Sequence, residues 1–126
     1  MRRNISSNSI WEQKFAYSRL VVKGDRAFLS GTTAVNEKGE IVSRSDAAGQ
    51  GDFIFAKIKS IIENEGFELR DIVRIRIYVL DISESEKIGL VMKKYFEGIN
   101  PAATMIEVSK FIDDDILIEI EADLER

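Results

Sequence analysis

Between Ile116 and Leu124 every even position is apolar (Ile116, Ile118, Ile120, Ala122, Leu124), and the odd positions read Leu117, Glu119, Glu121, Asp123. Side chains of a β-strand point alternately to its two faces, so this segment is a strand with one dry face and one acidic face. Asp71 to Leu80 repeats the pattern with the opposite charge. Val73, Ile75, Ile77 and Val79 lie on one parity; Arg74, Arg76 and Tyr78 lie on the other. Two such strands demand a sheet that something covers on its apolar side only.

Two segments can supply the cover. Asp46 to Glu65 places Ile54, Ile58, Ile61 and Ile62 at helical spacing, with Ser45 or Asp46 as cap and Gly66 after its end. Ser83 to Glu97 carries Ile88, Val91, Met92 and Tyr95 or Phe96 on one stripe. Ser83 and Glu86 have capping-box spacing, and Gly98 and Pro101 end the segment. Tyr17 to Lys23 and Arg26 to Thr33 flank Gly24-Asp25 and read as a hairpin. Glu40 to Val42 can pair briefly, and Ala103 to Lys110 reads as a further strand. The order β-β-α-β-α-β-β predicts an α+β fold, with both helices on a face that includes Val73, Ile75, Ile106 and Ile118.

The opposite face then carries Arg74, Arg76, Tyr78, Glu107, Glu119 and Glu121. Such a face is either wet, as antiparallel sheets allow, or the place where subunits meet and arginine forks bind carboxylates. Periodicity leaves both open.

The chain has 126 residues, which fits a single domain spanning 1–126, and it contains neither cysteine nor histidine. Thiolate chemistry, disulfides, the commonest metal ligand and the commonest general base are all excluded. No metal or cofactor is expected, and Gly49-Gln50-Gly51 lacks the context of a phosphate loop. The net charge of -4 without a basic stripe argues against a nucleic-acid partner. Arg2 and Arg3 precede no apolar stretch, and no run is long enough to span a bilayer. A cytoplasmic protein without a membrane partner is the expectation.

Several short motifs occur together: Ala16-Tyr17-Ser18-Arg19, Phe28-Leu29-Ser30-Gly31-Thr32, Gln50, Leu69 to Val73, Asn100-Pro101-Ala102-Ala103-Thr104, and Ile118-Glu119-Ile120-Glu121-Ala122. In this order and spacing the chain resembles the RidA family, also called YjgF and formerly endoribonuclease L-PSP. The resemblance implies a chorismate-mutase-like fold, a homotrimer, and clefts between subunits that bind a small metabolite. It implies hydrolysis of reactive imines and enamines to a carbonyl compound plus ammonia. Tyr17, Ser30, Gly31 and Glu119 match positions that line the family cleft, with Glu119 as the group that handles water. Met105 stands where many members carry a small or sulfhydryl residue. Ala103 stands where active members carry an arginine that clamps the substrate carboxylate, so standard 2-imino acid deaminase activity is not expected. Arg19, two residues from Tyr17 on its strand face, is the candidate replacement charge, and Glu12 enters the cleft if the N-terminal segment folds over it. A non-catalytic binding trimer is the alternative. Ribonuclease activity or translation inhibition is the poorer one, since no histidine and no basic stripe are present.

Overall fold

Gly24, at φ 62°, turns β2 (Leu20–Lys23) back into β3 (Arg26–Thr32), as the hairpin reading predicts. The computed structural model describes all 126 residues. The remaining elements are β1 (Arg2–Ile5), α1 (Ile10–Phe15), α2 (Ala47–Glu63), β4 (Ile72–Val79), α3 (Ser85–Phe96), β5 (Ala102–Glu107) and β6 (Ile118–Glu125). The strands form one six-stranded sheet in the order β1-β2-β3-β6-β4-β5. β6 is antiparallel to both β3 and β4, whereas β5 runs parallel to β4 because α3 carries the chain across. Glu40–Val42 contributes only an isolated bridge, Val35 to Ile41.

The apolar parity of β6 is buried as its alternation requires: Ile118, Ile120, Ala122 and Leu124 lie in the core beside Ile75, Ile77 and Val79 of β4. Ile54, Phe55, Ile58 and Ile62 of α2, with Ile88 and Phe96 of α3, close over them. Phe55 meets Phe96 edge-on at 5.6 Å between centroids. Each buried Ile or Phe contributes about 1.5–3 kcal/mol relative to exposure, and this layer is the main source of stability. Asp46 caps α2 by accepting from the Gly49 amide at 2.9 Å. Gln50, fully buried, donates to the carbonyls of Val42 and Asp115 and accepts from the Leu117 amide. No helix is long and apolar enough to cross a membrane.

Three expectations are corrected and two elements are added. Val73 is 51% exposed and Ile72 takes its place in the core, because the β4–β6 register slips between Ile72 and Arg74. A bulge adds one residue and flips the parity on one side of it. Ile106 is 46% exposed, since it pairs with Tyr78 on the open face, while Ala103 and Met105 align with Ile75 and Ile77 on the helix side. The Ser83/Glu86 box does not form: Asp81 accepts from the Ser83 amide and hydroxyl, a short 3-10 turn intervenes, and α3 starts at Ser85. The added elements are β1 and α1, which no periodicity in the sequence announces. β1 pairs antiparallel with β2 across Ile5 and Leu20.

Candidate functional site

The open face of the sheet carries a set of paired charges and, next to them, one unpaired carboxylate. In the paired set, Arg76 reaches Asp123 at 3.4 Å and Glu121 at 3.9 Å, and the Tyr78 hydroxyl donates to Glu121. These contacts satisfy the arginine–carboxylate pairing that the alternation suggests, within one chain. They also commit Arg76 to carboxylates other than Glu119. Glu119, opposite Tyr78 on β6, makes no hydrogen bond and no ion pair. Burial pushes its carboxyl above the usual range; Arg19 pulls it down and Glu121 pushes it up further. A half-buried carboxylate that is unpaired and reluctant to ionise is equipped to take or give a proton.

Gly31 makes room for it. β3 bulges between Leu29 and Thr32, and any Cβ at Gly31 would overlap the Glu119 carboxylate. Gly31 also offers its carbonyl to Arg19, whose Nη2 donates to it at 2.5 Å. The Nε of Arg19 is buried without a partner. Burial pushes the Arg19 guanidinium down, and Glu12, Tyr17 and Glu119 oppose that by their charge.

Glu12 arrives from α1, a helix that is inside out. Its apolar Ile10, Trp11 and Phe15 are exposed, while Glu12 is 4% exposed. Ser9 caps the start of α1 and Ala16, at φ 60°, ends it. The Glu12 carboxylate accepts from the Ser6 hydroxyl at 2.9 Å, the Ser7 amide at 3.0 Å and the Ser7 hydroxyl. Desolvation pushes Glu12 upward, but these donors and Arg19 outweigh it and hold the carboxyl below its usual range. Lys57 of α2 lies near enough to Arg19 to feel its charge. It donates to the Val35 carbonyl at 3.0 Å, and burial and the Arg19 charge both lower its ammonium.

The chain thus brings together Glu119, Gly31, Arg19, Tyr17 and Glu12. Tyr17 is 41% exposed beside this cluster. Ser30 is near it in sequence, but its hydroxyl is committed to the Ser18 carbonyl at 2.6 Å, so it fastens β3 to the start of β2. Ala103 and Met105 are not brought together with Glu119. They lie on the edge strand β5, on the helix side, with β4 standing between β5 and β6. Strands are spaced by roughly 4.8 Å, so two steps and a sheet thickness separate them. Two surface hollows, one between Met92, Phe96 and Pro101 and one between Ser45, Leu80 and Asp81, do not touch Glu119. No three acidic side chains converge as metal ligands. The sequence reading missed Lys57, because a lysine on a helix normally marks a solvated face.

The sequence profile of the endoribonuclease L-PSP family matches residues 9–125. A crystal structure of Rv2704 from Mycobacterium tuberculosis, described as a member of the YjgF/YER057c/UK114 family, superposes with a TM-score of 0.89. It is 35% identical and covers 100% of both chains. A RutC family protein of Pyrococcus horikoshii is 35% identical over 107 residues, 84% of this chain and 83% of its own. A protein of Acinetobacter baylyi named 3-aminoacrylate deaminase RutC is 31% identical over 93 residues, 74% of this chain and 73% of its own. A profile that spans the chain from α1 to β6 places it in the endoribonuclease L-PSP family, the family of RidA and YjgF.

Proposed function

We propose that the protein binds a small metabolite and hydrolyses a carbon–nitrogen double bond in it, with Glu119 handling the water. The observation that carries this is Glu119 itself: half-buried, unpaired and pushed toward the proton-bearing form, beside Glu121 and Asp123, which are paired with Arg76. In the reaction, Glu119 as carboxylate takes a proton from water while the oxygen bonds to the carbon of the protonated imine and the C=N π pair moves to nitrogen, giving the carbinolamine. Glu119 returns that proton to nitrogen, then takes the hydroxyl proton as the C–N bond breaks with its electron pair leaving on nitrogen. A carbonyl compound and ammonia leave, and the proton on Glu119 passes to solvent or to the ammonia. The imine carbon is already electrophilic, so position and one proton carrier suffice and histidine is not required. The relative named as a 3-aminoacrylate deaminase supports this C–N chemistry.

The substrate class follows from the cations. Ala103 offers no clamp for a carboxylate, and Arg19 is tied to the Gly31 carbonyl between two carboxylates. The reading is therefore an imine or enamine without a free α-carboxylate. Ala103 and Met105 of one protomer face a neighbour's Glu119 in this reading, in a homotrimer whose clefts join the edge β5 to the Gly31 bulge. The test is ammonia release from 2-iminopropanoate and from a carboxylate-free imine, by the parent, Glu119→Gln and Ala103→Arg. The expected result is turnover of the neutral imine by the parent, loss with Glu119→Gln, and a gain of about tenfold or more on 2-iminopropanoate with Ala103→Arg. Equal rates on both substrates, unaffected by Glu119→Gln, would sink it. Saturable thermal stabilisation without ammonia would instead establish the binding-only trimer, which the missing arginine also favours.

A further inference from the structure

Glu12 is the one fully buried carboxylate of the chain, and the proposed hydrolysis gives it no task. Its burial needs a cause. A buried ionised carboxylate persists only where donors and a cation compensate it. The donors are Ser6 and Ser7 and the cation is Arg19. Arg19 is shared: Glu12 and Tyr17 lie toward the N-terminal arm, Glu119 lies on β6, and Lys57 repels it from α2. Its guanidinium forms a salt bridge with neither carboxylate. It is fixed instead by one hydrogen bond to the Gly31 carbonyl, with Nε left over. A half-buried arginine beside a single carboxylate would collapse onto it as a forked pair. Beside two carboxylates, one of them locked in place by three donors, it stays between them.

We propose that Glu12 is a positioning residue: carried in by the N-terminal arm, it holds Arg19 back on the Gly31 carbonyl and so keeps the Glu119 carboxylate unpaired and free to act on water. This rests on the reading of Glu119 given above and extends it to a segment outside the sheet's charged face. The arm is built for the purpose. β1 is hydrogen-bonded along β2, with the Arg19 amide donating to the Ile5 carbonyl at 2.8 Å, so the strand that leads directly into Ser6 and Ser7 is registered on Arg19 itself. Other charged or titratable groups near Glu119 are Glu121 on its own strand and Tyr78 on β4, and Arg76 is spent on Glu121 and Asp123.

The experiment is the titration of Glu119 by carbon-13 NMR of its carboxyl in the intact protein, which needs no substrate. In Glu12→Gln, Arg19 is left with Glu119 alone and pairs with it. At the pH where Glu119 is half ionised in the parent, about nine-tenths should be ionised in the variant, a tenfold change in its ratio. Glu12→Asp keeps the charge and should restore the parent curve. Arg19→Gln removes the charge while an amide still reaches the Gly31 carbonyl; adding Glu12→Gln to it should then change nothing. If Glu12→Gln does not fold, Ser7→Ala frees the charged Glu12 carboxylate to pair with Arg19 and should shift the Glu119 midpoint the opposite way, upward. An unchanged or raised Glu119 midpoint in Glu12→Gln, or a shift that survives Arg19→Gln, overturns the proposal. Because the readout is the carboxyl itself, a parent that hydrolyses no imine yet shows these shifts would remove the proposed reaction and leave the positioning role intact.

Discussion

Glu12 and Glu119 carry the same side chain, and the fold pulls their ionisation in opposite directions. Glu12 is held below its usual range, so its ionised form stabilises the fold above about pH 4.3, the unfolded value, and that contribution is lost as pH falls through the depressed folded value. Glu119 is pushed up, so its ionisation costs stability as pH rises above about 4.3, and the cost is complete past its folded value. Thermal melts of the two Gln variants should therefore diverge at pH 7. Glu119→Gln should melt higher than the parent and Glu12→Gln lower, and the Glu119→Gln gain should vanish in acid. A Glu119→Gln that melts no higher at pH 7 would show that burial is not what perturbs this carboxyl. Gly31→Ala belongs to the same scale: overlap with Glu119 should cost about 1–3 kcal/mol in urea titrations and displace the carboxylate. Of these residues, Glu119 and Gly31 were legible in the sequence through their motifs. The inward turn of Glu12 was only a conditional reading there, because no periodicity marks a carboxylate as the buried side of a helix.

Elements built from unbroken alternation are legible in the sequence, and those resting on a local irregularity are not. β6 and the stripes of α2 and α3 follow from spacing alone. β4 begins with a bulge, and a sequence has no mark for the added residue, so alternation points Val73 inward where Ile72 holds that place. β5 is short and lies at an edge, where Ala103, Thr104, Met105 and Ile106 alternate too weakly to reveal which parity the helices cover. The loops between β3 and α2 and between β5 and β6 are joined through Gln50, whose side chain ties Val42, Asp115 and Leu117 to α2. Gln50→Ala leaves those backbone groups unpaired, and an orphaned buried group costs about 1–3 kcal/mol. Differential scanning calorimetry should show a lower melting temperature, with faster amide exchange confined to Leu117 and its neighbours.

At the scale of the molecule, one sheet presents a covered face and an open one. The open face keeps Phe28, Val73 and Ile106 roughly half exposed, and the outer edge of β5 has no strand beside it. Bare edges and apolar patches of this kind invite association, and assembly that covers them makes stability depend on concentration. Light scattering on Ile106→Lys should show a smaller particle than the parent, with an unchanged far-ultraviolet spectrum and a melting temperature that no longer rises with protein concentration. A parent that is monomeric at all concentrations would remove the trimer and its shared clefts together. The separation of Ala103 from Glu119 by β4 has a further consequence, one that belongs to genetics. If each cleft draws one wall from each of two chains, a lesion at Glu119 and a lesion at Ala103 damage different walls. Two inactive variants, Glu119→Gln and Ala103→Trp, mixed and reassembled, would then regenerate some clefts with both walls sound. Alleles that fail alone would complement each other.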